Sequence, residues 1–181
     1  MTKDFFNGWL ERTTGVTNDK RNILVFSKWD FPSVADRCAG RDDIAFISIE
    51  CTDDCAKYHL EEDNKHYLKP ANNVLNIDFD DCDKDEDIDG EHVARAITDE
   101  QGEEILNFVL ANLGKHFIIH CRAGASRSQA VRKAMLYCFP EYFEECFENT
   151  YNPGHTPNHA VVASIKKAHR KHFGSAFEIN D

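Results

Sequence analysis

Positive charge is what this sequence has least of: 21 Lys and Arg stand against 32 Asp and Glu in 181 residues, a net charge of −11 with His neutral. Nucleic-acid binding draws on Lys and Arg displacing counterions from phosphates, so the balance disfavours nucleic acid as a partner. A small anion site inside an acidic protein stays compatible with it. Long apolar runs are also missing. No stretch approaches the ~18 residues of a spanning helix, which argues against a membrane partner. The opening MTKDFFNGWLERTTG carries an acid at Asp4 and no apolar run before a small-residue cleavage site, unlike a secretory signal. The seven cysteines, at 38, 51, 55, 82, 121, 138 and 146, lack the even, close spacing of a disulfide framework, and a reducing cytoplasm is the expected location. With neither repeats nor a low-complexity linker, the length suits one domain over 1–181, able to bury roughly 70% of its unfolded surface.

What is present alternates between strand and helix patterns. Ile23–Ser27 (ILVFS) and Ile44–Ile49 (IAFISI) are short apolar, largely β-branched runs, and Val74–Phe79 (VLNIDF) alternates like a third strand. Cys51–Leu68 is polar and helix-compatible up to Pro70. Thr98-Asp99-Glu100-Gln101 has the form of a capping box, which predicts a helix with Ile105, Val109 and Leu113 on its inner face and Gly114 as its stop. Phe117–Ile119 reads as a strand entering His120-Cys121, and Arg127–Phe139 as a helix ended by Pro140. Beyond it, 141–173 is expected to be helical, with Thr156 and Pro157 as N-cap and first helical residue. The fold expected is α/β, with a central, mostly parallel sheet of four to five strands flanked by helices.

Residues 120–128 read His-Cys-Arg-Ala-Gly-Ala-Ser-Arg-Ser, between a strand and a helix. A cysteine six before an arginine is a cheap coincidence. With His before the Cys, Gly three after it and Ser after the Arg, the chance expectation falls to the order of 10⁻⁴. The residue types share one chemistry. A five-residue turn, 122–126, can aim its backbone N–H groups inward at a helix N-terminus, forming a nest for a tetrahedral dianion. Such a field lowers a cysteine pKa from about 8.5 into the range of roughly 3.5 to 7.5, so Cys121 is expected as a thiolate nucleophile. Arg127 supplies a planar fork for two phosphoryl oxygens, and Gly124 lets the loop bend sharply or approach closely. Ser128 can donate to the Cys121 sulfur when it leaves, and His120 is expected behind the loop, tuning it. Arg122, Ala123, Gly124, Ala125, Ser126 and Arg127 are thus the expected phosphate-binding residues, with neither metal nor cofactor.

The run His-Cys-x-x-Gly-x-Ser-Arg-Ser resembles the active-site signature of the cysteine-based protein tyrosine phosphatases, in the form common among compact dual-specificity and phage or bacterial members. The resemblance covers about 23–139, where the order strand, acid-bearing loop, helix, strand, Cys loop, helix also matches. It implies in-line attack by Cys121, protonation of the leaving oxygen by an acid, and hydrolysis of the cysteinyl-phosphate with that acid as base. Position 125, often larger and apolar in relatives, is Ala here. Low-molecular-weight phosphatases and thiol arsenate reductases carry a similar loop near their N-terminus, whereas Cys121 follows three expected strands.

The resemblance further implies an aspartate on the loop after the strand preceding the intervening helix. Asp78, Asp80, Asp81 and Asp83 stand there; the strand phase ranks Asp81 first and Asp80 second as general acid, with neighbouring carboxylates favouring its protonated form. The expected substrate is a phosphorylated protein, phosphotyrosine with phosphoserine or phosphothreonine, because the loop lacks the extra lysines of relatives acting on inositol lipids. RNA 5′-phosphate, phospholipid, and a phosphate-binding module without turnover remain alternatives.

Other features have plainer readings. Asp85–Gly90 matches the first half of an EF-hand loop and then fails, with Ala96 at the position of the bidentate Glu, so a polar loop is expected. Cys51, Cys55 and His59 share a helical face, with His66 a distant fourth zinc ligand, but a partly buried thiol face is the simpler account. Cys82, beside the acid, is a candidate disulfide partner of Cys121 after oxidation, against the default of an inert thiol. Lys166, Lys167, Arg170 and Lys171 suit the end of the last helix and a solvated face. Phe5, Phe6 and Trp9 are expected to pack on the sheet or C-terminal helices.

Overall fold

A computed structural model describes residues 20–59, 65–144 and 156–174. Phe5, Phe6 and Trp9 lie outside the described residues, as do Cys146 and 175–181.

Five parallel strands make the central sheet, β1 (Arg21–Ser27), β2 (Ile44–Glu50), β3 (Val74–Asp78), β6 (His116–Cys121) and β7 (Phe143–Glu144), in the order β3-β2-β6-β1-β7. Three of the four longer ones, β1, β2 and β6, are unbroken apolar runs whose burial explains their lack of alternation, while β3 alternates in burial as it does in sequence. Both sheet faces are covered, so Ile44–Glu50 and His116–Cys121 are buried at every position. Register pairs Ile23 with Phe117 and Ser27 with Cys121, which brings the end of β1 against the start of the Cys loop.

Five helices flank the sheet: α1 (Phe31–Arg37), α2 (Asp53–Tyr58), α3 (Asp99–Ala111), α4 (Arg127–Cys138) and α5 (His159–Phe173). Alternate strand residues such as Val25, Ile47, Ile77 and Ile119 join Ile105, Val109, Val131, Met135 and Ile165 in the larger core on one face. Leu24, Phe26, Phe46 and Ile118 point the other way, onto Phe31 and Val34 of α1.

α3 begins at the expected capping box, with Thr98 Oγ1 accepting from Gln101 N and Gln101 Oε1 from Thr98 N. It ends one turn earlier than Gly114 predicts. Asn112 caps it, its side-chain amide donating to Phe108 O and Asn72 O. α3 and α5 approach closely at Gly102, where an added Cβ would overlap Ser164 Oγ. Ser164 Oγ donates to Thr98 O across the same seam.

Several expectations need correction. Nothing in the sequence pattern marks α1, whose seven residues are too few to show a helical period. Of Cys51–Leu68, only Asp53–Tyr58 is described as helix, started by Thr52, whose hydroxyl accepts from Cys55 N. The 141–173 segment is not wholly helical: Phe143 and Glu144 pair with Arg21 and Asn22 as β7, so β6 is not the last strand. Thr156 is not the N-cap of α5. Asn158 is, its side-chain oxygen accepting from Val161 N, because Pro157 lies just outside the helix. The acidic stretch contains a small antiparallel ribbon, β4 (Glu86–Asp87) with β5 (Val93–Ala94). Among the described residues no helix is long and apolar enough to cross a membrane.

Candidate active site

The Cys loop lies at the C-terminal edge of the sheet, where parallel α/β folds place ligand sites. β6 delivers Cys121, residues 122–126 turn, and α4 starts at Arg127. The turn is pinned to β1 by Lys28 N donating to Arg122 O at 3.0 Å. Gly124 has φ +69°, and a Cβ there would stand 2.7 Å from the carbonyl carbon and oxygen of Phe26 and 2.9 Å from Ser27 N. A side chain is therefore excluded twice, by backbone conformation and by close approach to β1. Arg122, Ala123, Ala125 and Ser126 remain at least partly exposed around the turn.

Cys121 is 2% exposed, and its Sγ lies 3.0 Å from Ser128 Oγ, itself fully buried one residue into α4. Arg127 is 3% exposed. Its Nη1 donates to Phe79 O at 2.7 Å and Glu50 O at 3.1 Å, and both Nη atoms lie 3.8 Å from Cys51 Sγ. These carbonyls at the ends of β2 and β3 fix the guanidinium. Its Nε is buried without a hydrogen-bond partner. A buried donor of a charged group left without an acceptor is costly. Burial works against the charge of Arg127, but Cys121, Cys51 and Asp81 outweigh it and hold its pKa above the usual value.

The four candidate acids occupy four different environments. Asp81 is exposed and faces the Cys loop: its Oδ1 accepts from Ser126 Oγ at 2.7 Å and from Asn158 Nδ2 at 3.1 Å, and Oδ2 takes no part in either bond. Asp80 is 2% exposed and turned inward, accepting from Thr52 N, Thr52 Oγ1 and Arg95 N at 2.6–3.0 Å. It staples α2 to the acid loop rather than meeting the Cys loop. Asp78 ends β3 and bonds His66 Nε2 at 2.8 Å. Asp83 accepts from Ala160 N at 3.3 Å, at the start of α5.

His120 is 1% exposed, 2.7 Å from Ser48 Oγ through Nε2, with its ring 3.9 Å from that of Phe31. Burial first, then the charges of His66, Lys28 and Arg127, push its pKa down to about 3, so the ring is neutral near pH 7. It sits behind Cys121.

The zinc grouping is not assembled as the spacing implies. Cys51 and Cys55 converge on Asp80, with ligand atoms within 4.8 Å of one another, while His66 is engaged by Ser48 and Asp78. The donor set does not fit a cation. Asp80 already accepts three hydrogen bonds, burial and then Asp80 push the Cys55 thiol up to about 12, and the Arg127 guanidinium touches Cys51. Cys82 and Cys121 are both free thiols. Cys82 lies among Asp80, Glu86, Asp85 and Asp81, which with burial push it up to about 11, so it is a poor nucleophile for a disulfide with Cys121.

The half EF-hand turns its carboxylates inward. Asp85 accepts from Arg95 and Ala96 N, Asp87 from Gly90 N, and Asp89 from Glu91 N and His92 N. The basic end of α5 is tied to α3 by Lys167 with Asp99 and Lys171 with Glu103, while Lys166 Nζ lies 3.5 Å over the Tyr137 ring. Arg170 is exposed.

Three site residues were not legible in the sequence. Asn158 reaches Asp81 from 77 residues away, and Ser48 and His66 meet His120 only because β2 lies beside β6. Only the polar Ser48 inside the apolar run IAFISI hinted at a buried partner. No family model, curated protein or solved structure matches the chain.

Proposed function

We propose that the chain is a cysteine-dependent phosphomonoesterase acting in the cytoplasm on phosphorylated proteins, phosphotyrosine first and phosphoserine or phosphothreonine besides. The observation that carries the reading is the buried, partnerless Nε of Arg127 beside the buried Cys121–Ser128 pair, a cationic donor with nothing to hold. A phosphoryl oxygen is the acceptor that fits.

In this reading the Cys121 thiolate attacks phosphorus in line with the ester oxygen while the Arg127 fork and the N–H groups of 122–127 hold the equatorial oxygens. The P–O bond to the leaving group breaks as Asp81 gives that oxygen its proton through Oδ2. Water then attacks the cysteinyl-phosphate, Asp81 takes a proton from it, and the S–P bond breaks with Ser128 donating to the departing sulfur. Ser126 and Asn158 hold Asp81 over the loop through Oδ1. Asp80, with its three inward donors, has a structural part.

Hydrolysis of p-nitrophenyl phosphate in the presence of a chelator tests this. Wild-type turnover that Cys121→Ser abolishes is the expected result. Turnover surviving in Cys121→Ser, or no turnover in a folded wild-type protein that still binds vanadate, overturns it.

A further inference from the structure

The two ends of the Cys loop are gripped by two residues that also grip each other. Lys28, in the turn after β1, gives its backbone N–H to Arg122 O at 3.0 Å, and Glu50, at the end of β2, takes Arg127 Nη1 on its carbonyl at 3.1 Å. Their side chains meet, with Lys28 Nζ donating to Glu50 Oε2 at 3.2 Å. Because β6 lies between β1 and β2, this ion pair spans the end of the strand that delivers Cys121. Glu50 is in phase with Phe46 and Lys28 with Phe26, on the α1 side, whereas Cys121 belongs to the opposite face with α4. The pair therefore passes behind Cys121 and closes a ring of contacts through Arg122 and Arg127. Resting on the phosphatase reading above, we propose that Lys28 and Glu50 are positioning residues for the bound oxyanion: their ion pair fixes the span from Arg122 to Arg127 and cancels a buried negative charge behind the phosphate site.

The charge is the part that needs cancelling. The Glu50 side chain is 3% exposed, so little water reaches its carboxylate. Burial pushes that carboxyl up, and the charge of Lys28 first, then its hydrogen bond, oppose the rise, with His66 and Arg127 behind them. Asp78, the register partner of Glu50 on β3, adds a second negative charge, and His120 of β6 is neutral. A Glu50 carboxylate that loses its lysine repels an incoming dianion and competes with it for the Arg127 guanidinium.

The two partners are therefore not equivalent. Removing the lysine leaves a negative charge behind an anion site. Neutralising the glutamate leaves a positive one, and Gln at position 50 still offers an oxygen to Lys28. A pair with a purely structural part would make the two changes alike.

Calorimetric titration of the full chain with vanadate at pH 8 reads this without reference to turnover. Lys28→Met should weaken vanadate binding about tenfold, the size of one uncompensated charge near the site, whereas Glu50→Gln should bind at least as tightly as wild type. The double variant Lys28→Met/Glu50→Gln should return to within about threefold of wild type, because no buried charge is then left alone. In parallel, KM for p-nitrophenyl phosphate should rise about tenfold in Lys28→Met with kcat within about twofold, the mark of an interaction shared by bound substrate and transition state. Wild-type vanadate affinity in Lys28→Met, equal weakening in the two single variants, or a double variant as weak as Lys28→Met overturns the proposal. Should Lys28→Met not fold, the double variant decides alone: folding with affinity within about threefold of wild type upholds the pair, and anything less overturns it. A wild-type chain that binds vanadate without hydrolysing the ester sinks the phosphatase reading alone, and the binding pattern of the variants still upholds or overturns the pair. A folded wild-type chain that binds no vanadate overturns both.

Discussion

The loop after β6 and the loop after β3 face each other across the site, yet they are held by different forces. Residues 122–126 are fixed through backbone: strand register at Ser27 and Cys121, the Lys28–Arg122 hydrogen bond, and a glycine whose missing side chain lets the turn lie on β1. Residues 79–97 are fixed through carboxylates, with Asp80, Asp85, Asp87 and Asp89 each collecting backbone N–H groups of their own loop and neighbours. The backbone hold on the first loop thus needs no titratable group, and at Gly124 it is intolerant of bulk. The second depends on ionised carboxylates. On the phosphatase reading, the first loop has to keep its shape in every charge state of its ligand, whereas the second has to let one carboxylate differ from the rest.

The largest effects should come from breaking the rigid side. Arg127→Lys removes the fork and strands Phe79 O and Glu50 O; kcat/KM for p-nitrophenyl phosphate should fall about 10³-fold and vanadate inhibition should disappear. Gly124→Ala pushes the turn off β1, and a displacement on the order of 1 Å should cost about 10² in rate, with a lowered Tm. Wild-type kinetics in Gly124→Ala would show that the loop is softer than its packing implies.

Within the acid loop, adjacent aspartates should separate. Asp81→Asn should slow phosphotyrosine hydrolysis about 10²-fold, spare esters with good leaving groups, and change stability by no more than ~0.5 kcal/mol, because the residue is exposed. Asp80→Asn should do the reverse, costing about 1–3 kcal/mol in urea unfolding through its mismatched donors, with leaving-group dependence intact. An exchange of these two phenotypes would transfer the acid role to Asp80.

A further effect, read in stability rather than rate, contrasts core with surface. Burial first, then Arg21, pushes His116 down to about 4 from 6.5. The folded ring stays neutral where the unfolded one takes a proton, so stability falls as pH drops from 6.5 to about 4. The loss is on the order of 3 kcal/mol, read from urea unfolding free energies at each pH. Asp85 runs opposite in kind: its hydrogen bond from Arg95, then that from Ala96, hold it below 3.8. Its contribution is present above pH 3.8 and lost as pH falls through its lower folded value, so the Ala96 amide resonance should shift only in strong acid, after the core histidines have charged.

The parts of the molecule legible in sequence are those set by local chemistry. Apolar runs marked β1, β2 and β6 because burial on both faces demands them, alternation marked β3, and Thr98 with Gln101 marked the start of α3. Cys121, Gly124, Arg127 and Ser128 were legible together because one turn holds them. What stayed hidden depends on contacts between distant segments. β7 is two residues long and exists only as the partner of Arg21 and Asn22. Strand phase could rank Asp81 over Asp80 but not separate their surroundings, and only the fold turns one inward to Thr52 and the other to Ser126. The Ser48–His66–His120 chain crosses two strands and a loop that no periodicity links.

The seam at Gly102 has a reach beyond its own helices. The helix seated there begins at Asn158, and Asn158 is one of two hands on the Asp81 carboxylate. A methyl group added at Gly102 would press on Ser164 and strain the seat of that helix, and with it the hold of Asn158 on the Asp81 carboxylate, which on the phosphatase reading is a change in leaving-group preference. If the loop does turn over phosphate esters, the choice among them is adjustable from the back of the molecule.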